Sequence, residues 1–424
     1  MLKQKNALDV TILCKVVDNF GDIGVVCRLA RALSAYPNLK MRIVVDNLHS
    51  FALLEPDVQP DSEQQDVKGI RILNWNAAET CLREFRSNPP RIIIECFQCG
   101  RPDWLETLLF DETVPNIVNI IMLDYLSAEP YTETFHRLQS LTRSARVQKV
   151  NFMPGFTPKT GGLILDRAFL KSLKRGACPS LPRQAAPRML PASRSILSAL
   201  LPCPLPPLLG DTPKTPDSPF PVLFFSYSGN QSPLVSALQT FSVKKRRAVH
   251  ILLAQGAGFD SFKTAFNNMF SKDAPSAAGK TLFLTELPFL PQTEWDALLC
   301  RTPLLFVRGE DSLSRACLCG VPFVWHAYPQ SEDYQLVKVQ ALLDRMRPHF
   351  PAEHFKTVEN CWRTYNGAPG NLESSVTEFL LLYDELLPCF RDFSASLLQN
   401  GDLAAHLVEF MRGMLHTSDA LRIM

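Results

Sequence analysis

Short apolar strands alternate with amphipathic helical patterns in two separate stretches of this chain of 424 residues. Such alternation implies a parallel sheet with helices on both of its faces. In the first stretch the predicted strands cover 10–17, 41–47, 69–75, 91–97, 116–123 and 147–153. In the second stretch they cover 221–228, 249–255, 280–289, 303–310 and 322–328. The sequence therefore predicts two α/β sheet domains.

A proline-rich segment separates the two stretches. Residues 179–221 contain twelve of the chain's 33 prolines, and proline lacks the backbone donor that helices and sheets need. We therefore predict an N-terminal domain at 1–178, an irregular linker at 179–221 and a C-terminal domain at 222–372. The apolar spacing beyond these domains is helical, and we expect the segment 373–424 to form helices that pack on the N-terminal domain.

Charge and hydropathy argue against several classes of protein. The 44 Lys and Arg residues nearly balance the 42 Asp and Glu residues. The net charge of +2 therefore lacks the strong positive excess that is typical of nucleic-acid-binding proteins. No apolar run reaches the roughly 18 to 20 residues that span a bilayer, and the polar start MLKQKNALDV is unlike a signal peptide. We expect a cytoplasmic, soluble monomer that binds neither nucleic acid nor membrane.

The 12 cysteines are scattered along the chain, often within apolar segments, where a thiol behaves as a small buried hydrophobe. Cys96 and Cys99 form a Cys-x-x-Cys pair, which is also the spacing of a redox pair or of half a zinc site. No second pair lies at a suitable spacing, and the eight histidines form no matching cluster. We expect two reduced cysteines at the end of a strand, and no metal.

The sequence KVVDNFGDIG follows the first predicted strand, at the end where open parallel sheets bind ligands. A dinucleotide-binding loop would show G-x-G-x-x-G here, but this loop has only Gly21 and Gly24, with a carboxylate between them that would repel phosphate. Asp46, at the end of the second strand, does resemble the ribose-binding acid of that pattern. A nicotinamide or flavin dehydrogenase is therefore an alternative, which the incomplete glycine pattern opposes.

Asp18 and Asp22 lie together in this loop. Two acids in a cleft suit the orientation and deprotonation of an acceptor. Asp and Asn side chains also cap helices, so capping by Asp18, Asn19 or Asp22 is the structural alternative. A cap needs one side chain, and this loop supplies more than one.

In the second stretch, LFVRGEDSLSRACLCG places the end of a strand directly before the start of a helix. The amides and the positive dipole end of such a helix favour an anion, and Arg308 would add charge-assisted hydrogen bonds to phosphate. Glu310 could accept hydrogen bonds from sugar or ribose hydroxyls. The alternative is that Asp311 or Ser312 only caps the helix.

Two nearby segments add aromatic side chains. LPFLPQTEWDALL contains Phe289, Gln292 and Trp295, and a flat apolar wall with one amide suits a pyrimidine base. Aromatic residues at this spacing are also common in cores. FFSYSGN adds Tyr227 and a bend at Gly229, which fit either a phosphate or an ordinary turn.

Together these segments resemble the bacterial protein-arginine rhamnosyltransferases that modify translation elongation factor P, the EarP family. The resemblance covers nearly the whole chain. It is carried by KVVDNFGDIGVVCRLAR near the start, LDYLSAEPY at 123–131, FMPGFTPKTGGL at 152–163, LPFLPQTEWD at 287–296, RGEDS at 308–312 and PFVWHAYPQ at 322–330. Asp124 stands where we expect a glutamate, and we assign it no role.

The resemblance implies a GT-B glycosyltransferase, with two Rossmann-like domains facing across a cleft and additional C-terminal helices. The N-terminal domain would bind the acceptor and the C-terminal domain the donor. The implied reaction moves L-rhamnose from dTDP-β-L-rhamnose to an arginine side-chain nitrogen of elongation factor P, with inversion at the anomeric carbon. Since GT-B enzymes generally need no metal, we expect no cofactor.

The resemblance also implies roles for the residues of the first loop. Asp22 matches the general base of the family, and Asp18 matches its companion acid. Asn19, Phe20 and Gly21 would line the sugar side of the donor together with Asp22.

In the C-terminal domain, Phe289 and Gln292 match the thymine pocket, and Trp295 stands at a position that is aromatic in the family. The ribose and diphosphate contacts are matched by Tyr227, Arg308, Gly309, Glu310, Asp311 and Ser312. Glu310 is grouped with the two aspartates as a catalytic residue.

Two other functions stay open. A nucleotide-sugar-binding regulatory protein would bind the donor without transferring the sugar, and a dehydrogenase would bind a nicotinamide cofactor. The addition of one deoxyhexose to elongation factor P, detected by intact mass, would separate the transferase from both.

Overall fold

The computed structural model describes residues 8–17, 21–111, 118–144, 146–176, 219–270 and 281–421. The chain divides into two compact units. Unit 1 comprises residues 1–167 and 397–424, and unit 2 comprises residues 168–396.

The C-terminal helical segment is divided between the two units. Residues 373–396 lie in unit 2, and residues from 397 onward lie in unit 1, whereas we expected the whole of 373–424 on the N-terminal domain. The apolar face that includes Val376, Phe379 and Leu380 is almost fully buried in unit 2. An apolar stripe on a helix predicts burial but does not specify which sheet covers it. Most of the predicted linker, at 179–218, lies outside the described residues.

A sheet of eight strands runs through the described part of unit 1, in the order β3-β4-β2-β1-β5-β6-β8-β7. The strands are β1 (Leu8–Cys14), β2 (Leu39–Val45), β3 (Gln64–Val67), β4 (Ile70–Asn74), β5 (Ile92–Cys96), β6 (Val118–Leu123), β7 (Gln139–Ser140) and β8 (Val147–Phe152). All neighbours are parallel except β3 with β4 and β7 with β8. The two antiparallel strands therefore lie at the edges of the sheet.

The sheet in the described part of unit 2 has five strands, in the order β11-β10-β9-β12-β13. The strands are β9 (Phe220–Phe224), β10 (Val249–Leu253), β11 (Leu282–Glu286), β12 (Leu304–Arg308) and β13 (Phe323–His326). All four pairings are parallel. Parallel strands covered by helices on both faces form near-continuous apolar runs, and β9 is buried along its whole length.

The helices follow the strands in the alternation that the sequence predicts. Those described are α1 (Gly21–Ser34), α2 (Leu48–Leu54), α3 (Ala78–Ser87), α4 (Asp103–Phe110), α5 (Tyr131–Phe135), α6 (Arg167–Gly176), α7 (Ser232–Lys245), α8 (Phe259–Met269), α9 (Gln292–Leu299), α10 (Gly309–Cys319), α11 (Tyr334–Met346), α12 (Ala352–Tyr365), α13 (Leu372–Leu381), α14 (Tyr383–Gln399) and α15 (Leu403–Leu421). Two short 3₁₀ turns, Ser331–Asp333 and Arg347–His349, precede and follow α11.

The first helix shows how the apolar spacing determines this fold. Ile23, Val26, Cys27, Ala30 and Leu33 recur at intervals of three and four residues and are all buried in α1. This spacing places them on one face of an α-helix. The predicted helix between the first two strands is therefore confirmed.

The predicted α/β class with two Rossmann-like units is confirmed, since each unit contains a parallel sheet covered by helices. Every predicted strand overlaps an observed one. The sequence reasoning missed β3 and β7, the two antiparallel edge strands. The strand β3 reads QQDV and is mostly exposed, so it lacks the apolar alternation by which a strand is recognised.

In each sheet the first strand is central, and its two neighbours follow it along the chain. β1 lies between β2 and β5, and β9 lies between β10 and β12. The order of the strands reverses at these positions, and open α/β sheets bind ligands beyond the carboxyl ends of strands at such a switch point. The loops that follow β1, β9 and β12 are therefore the places in each unit where a site is expected.

Candidate active site

The loop after β1 is held by two carboxylates. The backbone N–H of Val16 donates to Asp46 Oδ1 at 2.8 Å, and the N–H of Val17 donates to Asp22 Oδ2, also at 2.8 Å. Asp22 is only 2% exposed. Its carboxylate thus lies at the carboxyl end of the central strand of unit 1, oriented by the preceding loop.

Asp22 is the second residue of α1. The first turn of a helix carries amides that point out of the helix and the positive end of the dipole, which together stabilise a negative charge. A residue inside the helix is not its N-cap, so the capping alternative does not account for Asp22. Gly21 begins the helix and is half-buried. Asp18, Asn19 and Phe20 lie outside the described residues.

Cysteine thiols lie beneath this carboxylate. Burial raises the pKa of Cys14 well above its ordinary value, and the nearby charge of Asp22 raises it further. Burial likewise raises the pKa of Cys96, and raises that of Cys99 to about 12. The thiolate is the reactive form of cysteine, so these thiols are poor nucleophiles at neutral pH. Both cysteines of the Cys-x-x-Cys pair are free thiols.

In unit 2, Arg308 is placed between two aromatic rings. Its guanidinium carbon lies 4.6 Å from the ring centre of Phe225 and 4.8 Å from that of Tyr227. Arg308 ends β12, and the two aromatic residues follow the neighbouring strand β9. Cation–π contact and stacking restrict a planar guanidinium to a narrow range of orientations. The cation is therefore pre-oriented before any ligand binds.

The helix α10 begins directly after this arginine. Its N-cap is Arg308 and its first residue is Gly309, whose φ of +67° is readily adopted only by glycine. A Cβ at this position would lie 4.0 Å from the hydroxyl of Tyr227. Arg308 therefore directly precedes the first amides of α10, and an arginine at a helix N-terminus favours the binding of phosphate.

The residues that follow occupy the first turn of α10. Glu310 and Asp311 are half-buried, and Ser312 is 7% exposed. The alternative in which Asp311 or Ser312 only caps this helix is wrong, because the chain enters the helix two residues earlier, and the N-cap position belongs to an arginine. All three residues therefore lie within the first turn of α10 rather than at its N-cap.

The helix α9 contributes the predicted base-binding side chains. Gln292, its first residue, is 3% exposed, and its Nε2 lies 3.4 Å from Asp311 Oδ2. Trp295 packs edge-to-face on Phe225 with ring centres 5.2 Å apart. Phe289 lies half-buried in the loop that precedes the helix. Unit 2 thus joins the predicted residues of α9 and α10 into one cluster of contacts around Arg308.

His326 completes this cluster from β13. Its Nδ1 accepts a hydrogen bond from the backbone N–H of Tyr227 at 3.2 Å, which assigns the proton of the neutral ring to Nε2. The ring packs edge-to-face on that of Tyr227. Burial, together with the charge of Arg308, lowers the pKa of His326 to about 4. The ring is therefore neutral at physiological pH and contributes hydrogen bonding without charge.

Sequence reasoning missed three contributors to the unit 2 cluster. Phe225 and His326 lie within predicted strands, 221–228 and 322–328, and Gly256 directly follows the predicted strand 249–255, so none of them stands out as a site residue. A Cβ at Gly256 would lie 2.8 Å from the ring of Phe225 and 3.7 Å from Arg308 Nε. Their positions could have identified them, because all three residues lie in or just after strands at the carboxyl edge of the sheet, where ligands bind.

Among the described residues, no group of three or more His, Cys, Asp or Glu side chains has the geometry to hold a metal ion. None of the described helices is long and apolar enough to cross a bilayer.

Comparison with known proteins gives a consistent result. Residues 10–412 match the family model of the elongation factor P (EF-P) rhamnosyltransferase EarP. A protein-arginine rhamnosyltransferase of Shewanella oneidensis is 31% identical, over 97% of this chain and 100% of that protein. One from Pseudomonas putida is 30% identical, over 95% of this chain and 98% of that protein.

Solved structures support the fold. A structure that addresses EarP-mediated arginine glycosylation of EF-P superimposes with a TM-score of 0.56 at 21% identity, and covers 96% of this chain and 99% of that one. A UDP-N-acetylglucosamine 2-epimerase structure from Listeria monocytogenes gives a TM-score of 0.52 at 10% identity, with 97% of each chain covered. The predicted GT-B fold class agrees with these likenesses. The chain therefore belongs to the EarP family of EF-P rhamnosyltransferases and is a glycosyltransferase.

Proposed function

We propose that this enzyme transfers L-rhamnose from dTDP-β-L-rhamnose to an arginine side-chain nitrogen of elongation factor P in the cytoplasm, with inversion at the anomeric carbon and with Asp22 as the general base. The observation that carries the proposal is the carboxylate of Asp22. It is buried at the carboxyl end of the central strand, lies in the first turn of α1 and is oriented by the amide of Val17.

The acceptor explains why a buried, oriented carboxylate is needed. An arginine guanidinium is delocalised and stays protonated up to a pH of about 12, so its nitrogens are weak nucleophiles. A carboxylate that accepts a hydrogen bond from the reacting N–H holds the guanidinium plane in position and takes the proton as the new bond forms. The amide contact of Asp22 fixes one carboxylate oxygen, and we propose that the group as a whole faces the acceptor.

The transfer is a single displacement. A guanidinium nitrogen attacks C1 of rhamnose, the bond from C1 to the diphosphate oxygen breaks, and the proton of the attacking nitrogen passes to Asp22. Attack opposite to the leaving group inverts C1 and gives an α-linked sugar. The products are rhamnosylated arginine and dTDP, with the bonding electrons of the broken bond on the diphosphate.

Unit 2 would stabilise this leaving group. The guanidinium of Arg308 is fixed by its two aromatic neighbours, and α10 begins at the next residue. Preorganised positive charge aimed at a developing anion lowers the barrier without reorganisation during the reaction. These groups supply the charge that a metal supplies in other enzymes, so the proposal includes neither a metal nor another cofactor.

The remaining predicted residues would bind the nucleoside. Gln292 and Trp295 on α9, with Phe289 before it, would hold the thymine ring, and Glu310 would accept hydrogen bonds from ribose or sugar hydroxyls. The contact between Gln292 and Asp311 supports this assignment, because it fixes the amide of a nearly buried side chain. Asp311 and Ser312 would contact the diphosphate or ribose from the same helix turn.

The test uses the pure enzyme, dTDP-rhamnose and elongation factor P, with intact mass as the readout. We expect a mass increase of one deoxyhexose, located on arginine by fragmentation. Asp22→Asn should bind dTDP-rhamnose with nearly unchanged affinity but transfer rhamnose at least about a hundredfold more slowly, in line with the loss of a general base. Near-normal transfer by this variant would reject the base assignment.

The alternative of a regulatory protein that binds the nucleotide sugar without transferring it is not favoured, because the chain belongs to a family of rhamnosyltransferases. If calorimetry detects dTDP-rhamnose binding while elongation factor P gains no mass, the proposed acceptor is overturned.

A further inference from the structure

Asp46 and Asp22 hold consecutive amides of the same short loop. Asp46 Oδ1 accepts from Val16 N–H at 2.8 Å, and Asp22 Oδ2 accepts from Val17 N–H at 2.8 Å. Asp46 comes directly after β2, which pairs with β1 up to the register of Cys14 with Val45. Two carboxylates from different elements therefore anchor the backbone at the point where it leaves the central strand.

We propose that Asp46 is a positioning residue for transfer: it fixes the backbone at Val16 so that the next amide holds Asp22 in its reactive orientation. This inference rests on the proposed role of Asp22 as the base. Asp46 itself need not touch either substrate, because its effect passes through the loop.

Only one residue separates the contact of Asp46 from the contact of Asp22, because they are made to consecutive amides. Once the N–H of Val16 is held, only φ and ψ of that one residue determine where the next N–H points, because the peptide unit is planar. Valine is β-branched and conformationally stiff, which narrows the range further. The Val17 side chain is 77% exposed, so apolar packing of that side chain does not hold this end of the loop. The two charge-assisted hydrogen bonds provide the restraint.

Two simpler roles for Asp46 do not account for this contact. It is not the cap of the helix that follows, because Asn47 is the N-cap of α2 and accepts from Ser50 N–H at 3.0 Å. Nor is the contact one that a ribose-binding acid requires, since it is made to the protein's own backbone thirty residues earlier. The contact therefore holds the backbone just after β1 to a side chain just after β2.

The experiment compares Asp46→Asn with Asp46→Ala in steady-state and single-turnover rhamnosylation of elongation factor P. An asparagine oxygen can still accept from Val16, whereas alanine cannot. We expect D46A to lower kcat about ten- to a hundredfold with KM for both substrates within about twofold, since small displacements of a catalytic group have effects of this size. We expect D46N to retain kcat within about threefold. Asp61→Ala, at an exposed acid of the same unit, is the matched control and should behave as wild type.

Hydrogen exchange provides the structural readout. Amides in the peptide that covers residues 8–17 should exchange faster in D46A than in wild type, and D46N should restore their protection. A double variant, D22N with D46A, should be no slower in transfer than D22N alone, because a residue that acts through Asp22 adds nothing once the base is lost.

The outcomes separate this proposal from the one it rests on. If D22N is slow while D46A is normal, the base stands and the positioning role is overturned. If D46N loses as much rate as D46A, charge rather than the hydrogen bond matters, and the positioning role is again overturned. If D22N transfers normally, the base assignment fails whatever the Asp46 variants do. Should D46A fail to fold, a loss of more than about tenfold in kcat for folded D46N would still overturn the proposal.

Discussion

The guanidinium carbon of Arg308 lies 4.6 Å from the ring centre of Phe225, although Arg308 ends β12 and Phe225 directly follows β9. The same sheet has a comparable pair at its other end, where Arg247 lies 5.1 Å from the ring centre of Phe220. The pair of Arg308 and Phe225 lies beside the start of α10. In the other pair, Arg247 precedes β10 and Phe220 is the first residue of β9. Only the first pair is placed to meet an anion at the carboxyl edge.

Arg308→Lys should therefore weaken dTDP binding although the charge is kept. An ammonium group is a point charge that neither stacks on two rings nor donates two parallel hydrogen bonds to a phosphate. We expect Kd for dTDP, measured by calorimetry, to rise about ten- to a hundredfold. Arg247→Lys is the matched control and should leave Kd unchanged. Equal affinity for R308K and wild type would show that orientation of the guanidinium is unimportant.

Gly256 should be required for the position of the Phe225 ring. A methyl group at residue 256 would come within 2.8 Å of that ring, whereas a methyl group at Gly229 would meet nothing within 4 Å. Because the nearest atom belongs to the far end of a side chain, Gly256→Ala should rotate Phe225 away from Arg308, and the φ of +157° adds backbone strain for any residue with a Cβ. We expect the dTDP Kd to rise about tenfold for G256A.

Gly229→Ala, in the loop after β9, is the control, and its Kd should equal that of wild type. The thermal midpoint of each variant distinguishes a local shift from general destabilisation. If G256A binds dTDP with normal Kd but has a lowered thermal midpoint, then displacement of the Phe225 ring does not affect how Arg308 binds dTDP.

The sequence predicted the sheets well because their strands are buried on both faces and carry a strong apolar signal. It predicted the helix that begins near Asp22 for the same reason, since five apolar residues recur at helical spacing. It could not predict that Phe225 would stack on Arg308, because this contact joins residues that are far apart in sequence and depends on strand order. The polar strand β3 was missed since an edge strand with exposed side chains has no apolar pattern. The sequence could not assign the C-terminal helices to one unit or the other, because an amphipathic stripe does not identify its partner.

Two neutral, partly buried histidines, His326 and His136, should make the protein less stable in mild acid. The pKa of His326 is lowered to about 4 by burial and then by Arg308, and the pKa of His136 in unit 1 is lowered to about 4 by burial and then by Arg137. An unfolded histidine titrates near about 6.5. Between these two values the unfolded state binds a proton that the folded state does not, so the free energy of unfolding falls as the pH is lowered from 6.5 towards 4.

His326→Asn tests this dependence in unit 2, because an asparagine oxygen can replace Nδ1 as the acceptor for Tyr227 N–H. We expect wild type to lose more stability than H326N between pH 7 and pH 5 in urea unfolding, by at most about 3 kcal/mol over the full window to pH 4. His136→Asn applies the same test to unit 1. Identical pH profiles for wild type and H326N would mean that the pKa of this histidine is the same in the folded and the unfolded protein.

Asn366 should couple the stability of unit 2 to its donor site. The side chain is 4% exposed, and its Nδ2 donates to the carbonyl oxygens of Trp325 and Trp362, each at 2.8 Å. Its Oδ1 accepts from Ala327 N–H at 2.8 Å. Two of these partners flank His326 at the end of β13, so one buried amide holds the backbone on both sides of that ring.

Asn366→Asp keeps the size of the side chain and the acceptor for Ala327 but removes both donors, and it places a carboxylate oxygen against two carbonyl oxygens. We expect a loss of about 2 to 4 kcal/mol in the free energy of unfolding, since buried polar atoms left without partners cost about 1 to 3 kcal/mol each. Because β13 is then less well held, Kd for dTDP should also rise, by about threefold or more. Asn371→Ala removes an exposed N-cap contact to Ser374 N–H in the same unit and should cost only about 1 kcal/mol with Kd unchanged. If N366D and N371A lower stability equally, or if N366D binds dTDP as tightly as wild type, then Asn366 does not carry the connection from the core of unit 2 to the residues around Arg308.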